Sequence, residues 1–270
     1  MAAITAKMVS DLREKTGAGM MDCKKALTAA DGDMELAIEN LRKSGIAKAE
    51  KKSGRSTNQG KVWTKVSADS GVIIEMLCET DFAAKTPKFG ALVDTLLDGA
   101  ASLAEGDISA ALNEQQAAVI TSHIATIGEN MQLRRAVKWN GNGNSKFAGY
   151  HHMDGKVSVL VEVEGTEDAE LLNDICLHIA AFNPKYITSD DVPADVIAKE
   201  KEIAAAADPK LAGKPAEMLE KILAGKIGRY FSEVCLMNQP WVRDDKTSLA
   251  KKYPAVKIVR FARWAIGEEI

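Results

Sequence analysis

Along this chain the spacing of apolar residues changes several times, and each change marks a different kind of element. Over residues 4–50 the apolar positions recur with a helical period. Thr5 is a capping residue ahead of Met8, Val9 and Leu12, and the run Thr16-Gly17-Ala18-Gly19 interrupts that helix. A second helix is expected over 20–30. Asp31-Gly32-Asp33 stops it and caps a third, which carries Ala37, Ile38 and Leu41 on one face. Three short helices bury only a small core, the size of a docking module. Residues 48–61 hold almost no apolar side chain and predict a flexible linker.

From residue 61 the texture turns to alternation and β-branching. KVWTKV (61–66) and GVIIEMLC (71–78) flank a turn over 67–70 and predict a hairpin, followed by a helix over 89–104. The Ala-rich stretch 107–130 predicts a shorter helix pair. A strand over 135–139 then precedes the turn GNGN at 141–144. The same texture returns with a strand over 147–151, a Met153-Asp154-Gly155 turn, KVSVLVEV (156–163) and a helix over 168–182. Hairpin then helix, twice, suggests a duplicated α+β unit. Residues 195–207 and 215–230 predict two helices joined through 208–213. Ile197, Ile203, Met218, Leu219, Ile222 and Leu223 supply the narrow seam of an antiparallel helical hairpin, read as a projecting arm. VKIVRFARW (256–264) is expected to complete the second sheet. The expected class is therefore α+β. Its parts are a helical module (1–50), a linker (51–60), a first core subdomain (61–140), a second (141–194) with the arm inserted (195–230), and the completion of the second (231–270).

With 270 residues there is room for about two domains. The 35 basic and 38 acidic side chains nearly cancel, so a dominant phosphate-binding surface is not indicated. Two basic clusters, 48–55 and Arg134, Arg135 and Lys138 with Trp139, are either solvated charges or a local RNA face, and the latter would make the chain a nonenzymatic scaffold. Cys23, Cys78, Cys176 and Cys235 form no C-x-x-C pair and read as reduced, buried thiols of a cytoplasmic protein. Residues 1–15 lack the unbroken apolar core of a leader, and no later segment reaches the ~18–20 apolar residues that cross a bilayer. No Gly-Lys pair sits in a phosphate loop, and neither Gly17-Ala18-Gly19 nor Gly141-Asn142-Gly143 has a dinucleotide setting. His151 and His152 would point to opposite faces of a strand, which argues against a metal site, and His123 and His178 read as packing residues. No cysteine or serine has an activated setting, so the sequence offers no motif for an enzyme. One stretch stays unexplained. CETDFAAKTPKF (78–89) is a turn between a strand and a helix, and it places Phe82 beside Asp81. The ring either folds onto the core or faces outward for a partner.

LREKTGAGMMDCKKAL (12–27) closely resembles the amino-terminal signature of the translation elongation factor Ts family, and EMLCETDFAAK (75–85) resembles its second signature. Leu77 stands where that family usually has Asn and Ala83 where it usually has Val, while Thr80, Asp81 and Phe82 are kept. YHHMDGKVSVLVE (150–162) looks like the family's second hairpin, and QPWV (239–242) and IVRF (258–261) look like its closing core. Gly267-Glu268-Glu269 replaces the usual Gly-Glu-Gly. The resemblance implies a guanine-nucleotide exchange factor for elongation factor Tu, without covalent chemistry, built from a UBA-like module, a duplicated core and a coiled-coil arm. It implies partner contacts at Thr80, Asp81, Phe82 and Ala83, a wedge pushed toward the partner's magnesium site. It further implies contacts at Leu12, Arg13, Thr16, Gly17, Gly19 and Lys24 of the first module, and at Tyr150 and His151 of the second hairpin. No cofactor beyond the partner's magnesium and GDP, no direct nucleic acid and no membrane are implied. A homodimer or a 2:2 complex with the partner is compatible with it.

Overall fold

The computed structural model describes residues 3–208 and 215–270. Helix α1 (Ala6–Thr16) starts where Thr5 Oγ1 accepts from the Met8 amide at 3.2 Å, and it stops at Gly17, whose amide donates to Arg13 O. Gly17 has φ +66°, a left-handed conformation that a side chain would strain, so the glycine ends the helix. After α2 (Met20–Ala29), the Asp33 carboxylate accepts from the Glu35 and Leu36 amides and opens α3 (Met34–Glu50). Val9, Leu12, Cys23, Ala26, Leu27, Ala30 and Ala37 close a small core among the three helices.

Residues 51–58 are not the flexible linker that their polarity predicts. Lys52 Nζ donates to Gly128 O at 2.6 Å, and Asn130 Nδ2 donates to Ser53 O at 3.3 Å and Arg55 O at 2.9 Å. Composition cannot reveal such ties, because the anchoring groups, the Gly128 carbonyl and the Asn130 side chain, lie far along the chain. Strand β1 (Gln59–Val66) already begins within the expected linker.

The first sheet joins β1 to β2 (Ser70–Cys78), β3 (Gly106–Asp107) and β4 (Met131–Asn140), antiparallel in the order β1-β2-β4-β3. The second joins β5 (Ser145–His152), β6 (Val157–Glu164) and β9 (Lys257–Ala265) in that order, so the closing strand completes it as expected. Helices α4 (Asp81–Ala84), α5 (Pro87–Ala100) and α6 (Ser109–Ile127) belong to the first half, and α7 (Ala169–Phe182) to the second. Alternate residues of β2 (Val72, Ile74, Met76, Cys78) pack on Phe89, Leu92, Leu96 and Leu112. In β6, Val159, Val161 and Val163 pack on Ile175 and Ile179 in the same way. The faces left over meet each other through Val62, Ile73, Phe147 and Leu160. The layers therefore run helices, sheet, sheet, helices.

One helix, α6, stands where a shorter pair is predicted. No Gly or Pro interrupts it, and its many Ala and Gln residues favour a helix without marking a strong apolar stripe. Helices α8 (Ala194–Ala206) and α9 (Ala216–Val234) pack together, α8 burying no residue and α9 only Ile227. The expected junction at 208–213 falls, apart from Asp208, outside the described residues. β7 (Pro240–Trp241), β8 (Asp244–Ser248) and α10 (Leu249–Lys252) finish the second half. There the QPWV segment lies on buried His178, whose Nδ1 accepts from the Val242 amide at 3.2 Å and whose Nε2 meets Gln239 Oε1 at 3.0 Å.

The two halves share a feature of strand register. Glu75 on β2 pairs with Arg135 on β4, Glu162 on β6 pairs with Arg260 on β9, and each ladder slips by one residue immediately afterwards. Both glutamates are buried, at 0% and 2% exposure. Arg135 Nε donates to Glu75 at 2.5 Å and Arg260 Nε to Glu162 at 2.6 Å. The arginines then cross over. Arg135 stacks on Trp264 of the second sheet at 4.3 Å, and Arg260 on Trp139 of the first at 4.9 Å. A shared pattern, Arg-x-x-x-Trp, appears in RAVKW (135–139) and RFARW (260–264). The sheets approach so closely at Gly71 that a Cβ there would come within 2.7 Å of Leu160 Cδ1. Replacing Glu75 by alanine takes the buried counter-charge from Arg134 and leaves Arg135 with Glu268 alone, so the chain should lose about 3 kcal/mol in urea unfolding. A variant as stable as the parent would show that Glu268 and water satisfy the arginines without Glu75.

Candidate functional site

The turn after β2 presents Phe82, and the structure decides between its two readings. The ring is 79% exposed, while its neighbours Ala83 and Ala84 are buried in the first core. Phe82 rides on the one-turn helix α4, which a turn reading of the sequence did not anticipate. Thr80 caps that turn, its Oγ1 accepting from the Ala83 amide at 3.2 Å. On the far side Thr86 Oγ1 donates to Ala83 O at 2.8 Å and accepts from the Phe89 amide, which opens α5. Beside the ring, Asp81 pairs with Lys85 at 2.8 Å, and this hydrogen bond holds its carboxyl below the usual carboxylate range. Asp81 is therefore ionised at neutral pH, and an exposed i,i+4 pair costs little to exchange for another partner.

Below the turn lies a knot that sequence reasoning missed. Glu129, just past α6, accepts from the Thr80 amide at 2.9 Å and from Thr80 Oγ1 at 2.6 Å. Glu79 accepts from the Asn130 amide at 2.6 Å and pairs with Arg55. These contacts, with those of Lys52 and Asn130, tie the end of α3, the end of β2 and the end of α6 together. Nothing local in the sequence marks Glu129, since its partner is 49 residues away.

In the first module the expected contact residues divide. Arg13, Gly19 and Lys24 are exposed, with Met20 and Met21 beside them at 55% and 63% exposure, and the sequence reading passed over these two methionines. Leu12 is fully buried in the module's own core, so it shapes the surface without being part of it. Thr16 is turned inward, its Oγ1 donating to Leu12 O at 2.7 Å. Lys88 Nζ donates to Gly17 O at 3.2 Å and brings this corner toward the base of α5.

At the second hairpin His151 does not face outward either. Its ring stacks on Trp63 of β1, with centroids 3.9 Å apart, and Nε2 lies 3.0 Å from the Thr64 amide and 2.9 Å from Thr64 Oγ1. Tyr150 packs on the second core, while Gly149, His152, Met153 and Asp154 are exposed there. Most of the basic side chains weighed as an RNA face have partners within the chain. Arg134 and Arg135 hold Glu75, Lys138 Nζ donates to Ala101 O and Leu103 O, Trp139 lies under Arg260, and Lys48 pairs with Asp22. Among the described residues no group of three or more His, Cys, Asp or Glu is arranged to hold a metal ion, and no helix is long and apolar enough to cross a membrane.

A family model described as Elongation factor TS matches residues 79–268. The chain is 43% identical to elongation factor Ts of Thioalkalivibrio sulfidiphilus, over 99% of this chain and 93% of that protein. It is 42% identical to the protein of the same name from Clostridium botulinum, over 99% and 94%, and 42% to that of Alkalilimnicola ehrlichii, over 98% and 93%. The chain belongs to the elongation factor Ts family.

The two departures from the family's usual signature have different surroundings. Leu77 faces away from the helices, with 5% exposure, and Ala83 points into the first core under the exposed ring. A Val at 83 would fill more of that core, so this member of the elongation factor Ts family backs its turn with a smaller side chain. The second hairpin carries a pH dependence. Because Nε2 of His151 accepts the Thr64 N–H, the ring is neutral when bound, and burial pushes its pKa below the usual value. The unfolded chain takes up this proton near the ordinary value of about 6.5 and the folded chain only at lower pH. The stabilisation is thus complete above about 6.5 and is lost as pH falls through the folded value. An NMR titration of the His151 ring should give a midpoint below 6.5, with stability falling on acidification. A midpoint above that value would mean that the ring is not held by Thr64.

Proposed function

We propose that this chain is the guanine-nucleotide exchange factor of elongation factor Tu, opening the partner's nucleotide site with Phe82 and Asp81. One observation carries this reading: a phenylalanine ring, almost wholly exposed, is held out on a turn pinned from both sides. Leaving such a ring in water forgoes about 2–3 kcal/mol of burial, a cost with no return inside the chain. Inserted between displaced elements of a GTPase, the same ring stabilises a geometry that water alone does not hold open.

Exchange needs no covalent step. A factor that binds nucleotide-free partner more tightly than nucleotide-bound partner weakens nucleotide binding by the same ratio. Phe82 supplies the differential contact, and the ionised Asp81 competes for the donors and the magnesium shell around the phosphates. Thr80 and Ala83 hold the turn. Arg13, Thr16, Gly17, Gly19 and Lys24, with Leu12 beneath, form the docking corner of a UBA-like module. Tyr150 and the hairpin that His151 braces touch a second partner domain. The chain needs no cofactor of its own, no nucleic acid and no membrane, and works in the cytoplasm. The arm of α8 and α9 is open to self-association, to a contact with the partner's other domains or to no role in exchange, and a homodimer or a 2:2 complex with the partner is compatible with the reading.

Stopped-flow release of a fluorescent GDP from elongation factor Tu tests this directly. Catalytic amounts of the chain should accelerate release. Phe82→Ala should slow the accelerated rate by about thirtyfold, the loss expected of a buried aromatic anchor, without changing the fold. Asp81→Asn should cost less, and its deficit should shrink as magnesium is withdrawn. A folded chain that leaves GDP release unchanged, with active partner present, overturns the reading, and full activity of Phe82→Ala overturns the role of the ring.

A further inference from the structure

The wedge helix is too short to hold itself. A four-residue helix forms barely one turn, and the nucleation cost of such a turn exceeds what its own hydrogen bonds return. Its direction therefore depends on the Thr80 cap, and that cap depends on another residue. The Thr80 hydroxyl has one proton and must be turned so that its lone pair meets the Ala83 amide. Glu129 fixes that rotation by taking the proton on Oε1 at 2.6 Å, and its other oxygen takes the Thr80 N–H at 2.9 Å. A carboxylate suits this place because two donors converge on it and it offers an acceptor to each. Its own backbone is fixed by Gly128, which ends α6 at φ +90°, and by the Asn130 amide, which donates to Glu79.

We infer that Glu129 is a positioning residue for exchange: through Thr80 it sets the direction in which Phe82 and Asp81 project. This rests on the exchange-factor reading of the wedge, yet part of its test does not. Glu129 lies beneath the turn, tied to Thr80, and acts through the cap. Glutamine at this position keeps the length but can accept only one of the two bonds, and alanine accepts neither.

Amide hydrogen exchange on the free chain reads the cap without any partner. In Glu129→Gln and Glu129→Ala the Ala83 amide should exchange about tenfold faster, the factor carried by loss of one helix cap, while amides in β2 and β4 keep their protection. Unchanged protection at Ala83 would overturn the inference whatever the chain does to a GTPase. In GDP release the same variants should lower the maximal rate about tenfold while the half-saturating concentration moves less than twofold, since the docking surfaces elsewhere remain. Introduced into Phe82→Ala, Glu129→Gln should add little, because the ring it aims is gone. Fully additive losses would overturn positioning and make Glu129 a direct contact with the partner. If Ala83 loses protection but even the parent chain leaves GDP release unchanged, the cap assignment stands and the exchange reading falls.

Discussion

Two buried carboxylates hold this molecule in one piece. Glu75 and Glu162 sit on the middle strands of their sheets, on the faces where the sheets meet, and water does not reach them. An ion in such a place is tolerated only when its oxygens are fully occupied. Glu75 takes Arg135, Arg134 and the Gly267 amide, and Glu162 takes Arg260 and Ser145. Each carboxylate therefore fixes a strand, and Glu75 also fixes the chain's end. Since the arginines stack across the gap on Trp264 and Trp139, the same charges set the distance between the sheets. The turn bearing Phe82 and the hairpin bearing Tyr150 belong to opposite sheets, so their separation follows from this contact.

The exposed ring and the buried ions follow opposite rules within one chain. Inside, the two buried carboxylates are answered by arginines, a hydroxyl and an amide; at the wedge, a large apolar group is left unanswered. What keeps Phe82 from collapsing onto the core is the short turn, closed at both ends by threonines and backed by Ala83 and Ala84. The turn's stiffness is polar in origin and its usefulness is apolar.

Much of the architecture could be read from local patterns. Thr5 and Asp33 open helices as their side chains suggest, the two hairpins follow from alternation and turn residues, and the closing strand finds the second sheet. What escaped reading is non-local. Helix α6 looked like two helices because its apolar stripe is faint. Residues 51–58 looked loose because their partners, Gly128 and Asn130, lie far along the chain. His151 and Leu12 stood out in matched motifs, yet a motif does not tell whether a side chain meets a partner or its own core. Glu129 stood out nowhere, because the reason for a carboxylate there is a backbone amide on another strand's end.

The crossed arginines have a further meaning. Each half supplies the aromatic platform that the other half's arginine needs, at equivalent positions and with the same slip in register. That is the geometry of an isologous dimer, joined here into one polypeptide. A lone copy of the unit would find its missing half only in another of its kind. Fusion removes that obligation of likeness: the symmetric interior stays matched, while the loops outside it are free to diverge. After β6 the chain runs through Gly165 to Asp168 straight into its helix, and after β2 it builds the wedge. A scaffold with two equal halves thus acquires a single front.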